Sequence, residues 1–429
     1  MPERSAADAL TWAKEQDQAD PLRPLRERFY LPPGRIYLDG NSLGLLSREA
    51  EAAMQQALSE WRDLGIDGWT EAQRPWFTTA EELGALQAPL VGALPEEVVV
   101  TGTTTVNLHA LAATFYRPSG RRTKILADEL NFPSDIYALQ SLLQLHGLNP
   151  ADHLILVPSQ DGQTLAEEDL IQAMTDEVAL ILLPGVLYRS GQLLDMGRLA
   201  VEANARSIPF GLDLCHSAGA VPHQLHDWGV DFAFWCGYKY LNGGPGAPAG
   251  LFVHERHHGR TPALSGWFGY EKSRQFDMSL QFEPAPTAGA WQISTPSILA
   301  SAPLWGALRL FHEAGGMGPL RERSLRLTDF LIELTNDQLV PLGFTMGTPL
   351  ASTQRGGHIS LEHPAAVQIA KALKQRRIIP DFRKPNVIRL APAPLYNTFE
   401  ELWLTVQALV EIITSGEHHA FSAERNPVA

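Results

Sequence analysis

Lys239 is the residue with the most chemistry to offer. It ends the aromatic run FAFWCGYKY and precedes the Gly- and Pro-rich turn NGGPGAPAG. Its neighbours Phe232, Phe234, Trp235, Tyr238 and Tyr240 disfavour an ammonium and favour the neutral amine. Only a neutral amine attacks a carbonyl, so such a lysine suits Schiff-base chemistry. A lysine that snorkels from an aromatic strand end to water fits the same residues. Asp213, with His216 just beyond it, could hold a cationic ring nitrogen or simply accept from a neighbouring turn. Thr103, Thr104 and Thr105 open a helix with hydroxyls and free N–H groups, which suits a phosphate and also suits plain N-capping. Phe132, followed by Pro133, Ser134 and Asp135, could stack on a flat ligand or belong to a core. Arg389 interrupts the apolar run VIRLA and could clamp a carboxylate, or lie at the surface.

Other motifs point less far. His223 and His226 lie near His216 and Asp227, but no Cys pair or HExxH accompanies them, and the flanking Pro222 fits a loop, so no metal is expected. GxSxG is absent, which leaves an esterase nucleophile unsupported. GGPGAPAG lacks GxGxxG spacing and no GxxxxGK[ST] occurs, so a nucleotide loop is excluded.

These residues need elements to hold them. From residue 98 onward, apolar runs at 98–102, 124–128, 153–158, 178–186, 208–214, 232–237 and 250–255 alternate with helical periodicity at 105–115, 134–146, 165–174 and 196–204. Near-continuous apolar strands alternating with helices predict a mostly parallel sheet covered on both faces. Ligands in such sheets lie outside the carboxyl ends of the strands. The strands ending near 102, 128, 214 and 237 carry the residues named above. Together these are the parts of a pyridoxal phosphate (PLP) site, in which a protonated ring acts as electron sink. Ahead of the sheet, Ser47 caps a helix whose apolar face runs to Leu64 and stops at Gly65. After residue 300 the texture changes to helices at 300–313 and 321–336, runs at 358–362 and 386–392, and a last helix at about 399–413. The tail from Ser415 is polar and reads as loose.

The chain has 429 residues, 45 % apolar and 19 % charged, which is ample for packed cores and excludes a disordered chain. With 34 Lys and Arg against 48 Asp and Glu, its net charge of −14 makes nucleic acid and anionic membrane poor partners. Two cysteines, Cys215 and Cys236, give no disulfide framework and suggest a reducing compartment. No apolar run reaches the roughly 18 residues of a membrane span, and the first twenty residues lack a signal peptide's apolar core. A cytoplasmic protein is expected.

YLDGNSLG (37–44), TVNLHALAATFY (105–116), FPSD (132–135), the block DLCHSAGAVPHQLHDWGVDFAFWCGYKYLNGGPG (213–246), GWFGY (266–270), QISTPSIL (292–299) and IRLAPAPLYNTFEEL (388–402) resemble kynureninase. The resemblance covers about residues 37–402, and its long central block is specific to that family. It implies PLP fold type I: an α/β large domain at 61–300 with a mostly parallel central sheet, a small α+β domain at 301–429, and an N-terminal segment at 1–60 packing with the small domain. It implies hydrolysis of L-kynurenine to anthranilate and L-alanine, as in tryptophan degradation, by a homodimer whose active site is shared across the interface.

The resemblance also implies residue roles. Lys239 is the Schiff-base lysine and proton shuttle. Asp213 meets the ring nitrogen, with Asp135 and His216 close by, and Phe132 stacks on the ring beside Pro133 and Ser134. Thr104, Thr105 and Tyr238 hold the phosphate, and Trp267 reaches it from the neighbouring subunit. Arg389 takes the substrate carboxylate, with Asn41 and Ser42 on the substrate side. Tyr238 is the candidate acid/base. Trp69 and Thr295 stand where members that prefer 3-hydroxykynurenine carry His and Asn, which predicts a preference for unsubstituted kynurenine. Pro184 replaces a small hydroxyl residue of other members, which removes one phosphate-side hydrogen bond. Another fold-type-I PLP enzyme, such as an aminotransferase or desulfurase, and an inactive binding protein are the alternatives. A desulfurase needs a mobile cysteine beyond the lysine, and none follows Lys239.

Overall fold

The computed structural model describes residues 6–424. The seven apolar runs fold as β1 Val98–Thr101, β2 Lys124–Asp128, β3 Leu154–Val157, β4 Val178–Pro184, β5 Phe210–Asp213, β6 Phe232–Trp235 and β7 Ala249–Val253. They form one sheet in the order β1-β7-β6-β5-β4-β2-β3. Every pairing is parallel except the two made by β7. Alternate residues of each strand serve opposite faces. Phe232 and Phe234 join Leu108, Leu139 and Trp291 in one core, while Ala233 and Trp235 join Leu199, Leu304 and Leu308 in another. Both faces are therefore sealed, as a parallel sheet requires.

The turn out of β1 shows how the sheet delivers its residues. Gly102 takes φ +53°, and a Cβ there would lie 2.5 Å from the Asn107 side chain. The Asn107 amide instead donates to Thr101 O at 2.9 Å. That closes the turn and starts the helix Thr104–Phe115 directly above the strand end.

A second, antiparallel sheet follows, made of β8 Thr345–Met346, β9 Ile359–Glu362, β10 Asp381–Arg383 and β11 Val387–Leu390, in the order β10-β11-β9-β8. Helices Met317–Leu334, Ala366–Gln375 and Phe399–Thr414 enclose its core of Leu327, Phe330, Ile369, Leu373, Leu402 and Leu409. The chain's start belongs to this core as well, through Ala9, Ala13 and Leu38. Ile36–Tyr37 pairs in parallel with Ile378–Ile379. Asp17, on the first helix Ala6–Ala19, accepts from the Phe399 and Glu400 N–H groups at 2.8 and 2.9 Å, so it caps the last helix.

The helix Arg48–Leu64 begins after Ser47, whose Oγ accepts from Ala50 N, and ends at Gly65 with φ +55°. It lies along Ile298–Glu313 so closely that a Cβ at Gly306 would sit 2.1 Å from the Glu49 backbone. The inner face of Ile298–Glu313 belongs to the central-sheet core through Leu304, Leu308 and Phe311. The expectation of a loose tail from Ser415 is corrected over residues 415–424, and its last part, 425–429, lies outside the described residues. Glu417–Ala420 forms a turn with His418 buried. Arg376 pairs with Glu417, and Gln368 donates to Phe421 O at 2.9 Å. The tail's polar groups are the partners that the helix Ala366–Gln375 uses. Among the described residues, no helix is long and apolar enough to cross a membrane.

Candidate active site

The carboxyl ends of β1, β2, β5 and β6 open on one cavity of about 350 Å³, a size that suits a small ligand. Its walls are Asn41, Ser42, Thr104, Thr105, Phe132, Ser134, Asp135, Tyr188, Asp213, Cys215, His216, Cys236, Tyr238, Lys239 and Arg383. The N-terminal segment closes it from above. Gly44 N donates to Tyr238 O at 2.8 Å, and a Cβ on Gly44 would lie 2.5 Å from Lys239 O.

Lys239 Nζ lies 3.1 Å from His216 Nε2. Burial, then the charges of Lys239 and Arg389, hold His216 well below the usual imidazole range, so the ring is neutral and accepts from the lysine. The aromatic run that suggested a dry amine is used otherwise, since Phe232, Phe234 and Trp235 are wholly buried in the two cores. Asp213 Oδ1 accepts from Cys215 N at 2.8 Å, which fixes its carboxylate plane. Asp135, also buried, is pushed far above the carboxylate range by burial and then by the charge of Asp213, to which it hydrogen-bonds. Asp135 therefore keeps its proton. Burial pushes Asp128, at the end of β2, up to about 7.

Behind this wall Cys236 Sγ lies 3.4 Å from Cys215 Sγ and 3.1 Å from Thr104 Oγ1. The hydrogen bond with Cys215, helped by the charge of Lys239, lowers the Cys236 thiol to about 6. Burial and the adjacent Cys236 hold the Tyr238 phenol above its ordinary value, so it stays protonated.

Not every expected residue reaches the cavity. Pro133 opens the helix Pro133–Leu145 at its first position and faces a neighbouring hollow. Arg389 is fully buried on β11. Its Nε donates to Asp381 Oδ2 at 2.5 Å, and its other donors go to Tyr188 O at 2.5 Å and Ser42 Oγ at 3.3 Å. It thus stands one side chain back from the cavity, behind Ser42. Trp69, Trp267 and Thr295 line a separate aromatic groove with Phe77, Phe268 and Phe276. Pro184 is buried and pairs in register with Asp213. The histidines weighed as a metal set do not converge: His223 bonds Ser217 Oγ at 3.0 Å, His216 meets Lys239, and His226 meets Glu97.

Tyr188, Arg383, Cys215 and Cys236 are wall residues that sequence reasoning missed. The cysteines had a legible signal. Asp213 pairs with Phe234 in register, so positions two further along each strand, 215 and 236, must also lie side by side.

PLP brings a flat cationic ring, a phosphate and an aldehyde, and the residues fit each part. Asn41 is fully buried with both amide atoms unpartnered, as is His216 Nδ1. The helix start at Thr104–Thr105 suits the phosphate. Phe132 is 41 % exposed at the cavity, held edge-on by Tyr188 at 5.2 Å, and so has a free face for a ring.

The fold is that of the PLP-dependent fold-type-I enzymes. The chain superposes on a cysteine desulfurase of Thermococcus onnurineus with TM-score 0.77 at 21 % identity, covering 91 % of this chain and 98 % of that one. A C-DES variant with glycine covalently linked to its PLP cofactor gives TM-score 0.76 at 17 % identity, over 90 % and 98 % of the two chains. Residues 320–409 match the kynureninase C-terminal domain family. The kynureninase of Geobacillus thermodenitrificans is 56 % identical over 420 residues, 98 % of each chain. That of Bacillus anthracis is 56 % identical over 418 residues, 97 % of each chain. With this identity spread over almost the whole length, and with the cavity residues in place, the chain belongs to the kynureninase family.

Proposed function

We propose that the protein hydrolyses L-kynurenine to anthranilate and L-alanine with PLP, in tryptophan degradation. The observation that carries this reading is the meeting of Lys239, His216, Asp213, Asp135 and Thr104 in one cavity. When bound, PLP supplies an electron sink for the charge that develops beside the substrate's amino group.

The chain's own residues account for the remaining steps. Lys239 anchors the cofactor's aldehyde and afterwards carries the substrate Cα proton. His216, kept neutral, accepts from that amine without competing for its proton. Asp213 holds the ring's N–H, and the proton on Asp135 keeps the paired carboxyls from repelling one another. Thr104, Thr105 and Tyr238 seat the phosphate, while Phe132, with Pro133 and Ser134 at its helix start, fixes the ring plane. Arg389 binds the substrate carboxylate through the Ser42 side, and Asn41 offers its two unpartnered amide atoms to the substrate. Asp381 neutralises Arg389 between turnovers. Tyr238 is the acid/base for hydration of the substrate ketone or for the last protonation.

We assign Trp267, Trp69 and Thr295 to the neighbouring subunit's site in a homodimer, since they share one groove and none reaches its own cavity. An indole and a threonine leave a ring hydroxyl short of partners, and burying one unpaired costs about 1–3 kcal/mol. Unsubstituted kynurenine is therefore the better substrate, with kcat/KM roughly tenfold or more above that of 3-hydroxykynurenine. Equal values for both would refute the assignment. The boundary expected at 300, with 1–60 in the small unit, shifts: the large unit takes in Ile298–Glu313 and the helix Arg48–Leu64 packed on it, and the small unit takes the later segments with the first helix. The protein works in the cytoplasm.

The desulfurases share the fold but not the chemistry proposed here. Both cysteines precede Lys239 and sit just past the ends of β5 and β6, so neither lies on a loop beyond the lysine as a desulfurase requires. The test is anthranilate fluorescence on adding L-kynurenine to the PLP-loaded protein and to Lys239→Ala. Equimolar anthranilate and alanine, lost in the variant, are expected. A PLP-loaded protein that leaves kynurenine intact would overturn the reading.

A further inference from the structure

The end of the central sheet remote from Lys239 carries a second convergence of reactive side chains. Glu97 stands just before β1, His254 just after β7, and His226 in the turn of helix Leu225–Trp228 ahead of β6. Because β7 runs against both β1 and β6, these three points meet at one edge, opposite the cavity. His226 Nδ1 lies 2.9 Å and His254 Nδ1 3.5 Å from Glu97 Oε1, and the three atoms fall within 4.8 Å of one another. The imidazoles stack with centroids 4.9 Å apart and planes 23° apart. Ligand atoms about 2.0–2.2 Å from a tetrahedral zinc are roughly 3.3–3.5 Å from each other, so little movement separates this set from a coordination shell.

The hydrogen bonds around the trio fix the carboxylate and the His254 tautomer. Leu94 N donates to Glu97 Oε2 at 2.9 Å and Glu255 N to Oε1 at 2.8 Å, which locks the carboxylate. Arg256 N donates to His254 Nδ1 at 3.2 Å, so this nitrogen carries a lone pair and no proton, and a metal would take that lone pair from Arg256 N. His254 Nδ1 and Glu97 Oε1 are thus two electron-rich atoms 3.5 Å apart with no proton between them. Among the described residues, no other group of three or more His, Cys, Asp or Glu donors converges in this way. His226 is about 29 % exposed on its side chain, which leaves a path for an ion and a water.

We propose that Glu97, His226 and His254 form a site for a divalent transition metal, Zn²⁺ best of all, with water in the fourth position. On ligation, the Nδ1 proton that His226 gives to Glu97 passes to Nε2 of the same ring, and Nδ1 binds the metal. One Glu and two His match a zinc donor set rather than a calcium one. The ion clamps the segments leading into β1 and β6 to the end of β7, so its effect falls on stability and not on the reacting atoms.

The PLP-loaded protein, stripped with a chelator, is titrated with Zn²⁺ by calorimetry and with Co²⁺ by visible absorption. One equivalent is expected, with the d–d bands of tetrahedral cobalt and a Zn²⁺-dependent rise in Tm. His226→Ala, a change at a partly exposed residue, weakens binding at least tenfold and abolishes the rise in Tm, while turnover per PLP is unchanged. His254→Asn does the same, and His226→Cys retains the ion. Absent saturable binding, or binding of equal strength in His226→Ala, overturns the proposal and leaves the trio a hydrogen-bonded knot.

Discussion

Tyr238 sits where a phosphate anchor and a proton donor would coincide. Burial and the neighbouring Cys236 keep its phenol protonated across the working pH range, so it donates where a free carboxylate could not. Tyr238→Phe therefore lowers kcat roughly 10²-fold or more with PLP retained, and an unchanged turnover number would remove it from the proton path. His223 shows a different use of burial. Its ring is held at about 4 against an ordinary 6.5, so between these values the unfolded chain binds a proton that the folded one refuses. Stability is then lost as pH falls from about 6.5 to about 4, by roughly 3 kcal/mol for this one residue. Urea midpoints for His223→Gln should change less over that window than those of the parent. The same midpoints at pH 6.5 and 4 in both proteins would exclude the ring as the cause. The residues with a sequence-local signal were legible: Asp213 ends β5, Lys239 lies in the turn after β6, and Asp135 opens the helix that follows β2. Tyr188 and Arg383 carry no such mark, because they enter from loops whose course the strand pattern does not determine. Glu97 and His226 are 129 residues apart in the chain, and only the sheet order brings them together.

Elements were readable where their period was clean. Each central strand announced itself as a continuous apolar run, because both faces of the sheet are covered. The reversed direction of β7 was not readable, since a strand's side chains look the same along either heading. The segment from Ser42 to Gly44 illustrates how one element sets another. Gly44 is pressed against the turn that bears Lys239, with its N–H on Tyr238 O. Gly44→Ala must push that turn away by more than a van der Waals contact allows. Weaker PLP binding and kcat/KM down at least tenfold, with unaltered far-UV dichroism, are expected. Parent-like PLP affinity in this variant would mean that the segment does not position the lysine.

At the scale of the whole molecule, the proposed homodimer can be tested through the aromatic groove of Trp69, Trp267 and Thr295. If Trp267 serves the neighbouring site, mixed dimers of Lys239→Ala and Trp267→Ala chains contain one intact site each. Random reassortment then recovers about a quarter of the parental sites, read as anthranilate formed after joint refolding or subunit exchange. Activity no higher than the sum of the separate variants would place Trp267 outside the partner's site. The joining of the chain's two ends has a further consequence, which concerns the ribosome. Ser42 meets Arg389 across 347 residues, and Asp17 caps a helix that begins only at Phe399. At about 5–20 residues per second, the first segment waits roughly 20–70 s for the strand and helix that receive it. Over the later part of that interval the nascent chain already carries Lys239 and the turn that receives Gly44, yet Ser42 still lacks the Arg389 side of the wall. Catalysis therefore switches on only with the closing stretch of translation, and a chain cut short between Lys239 and Arg389 has its lysine and no enclosed site.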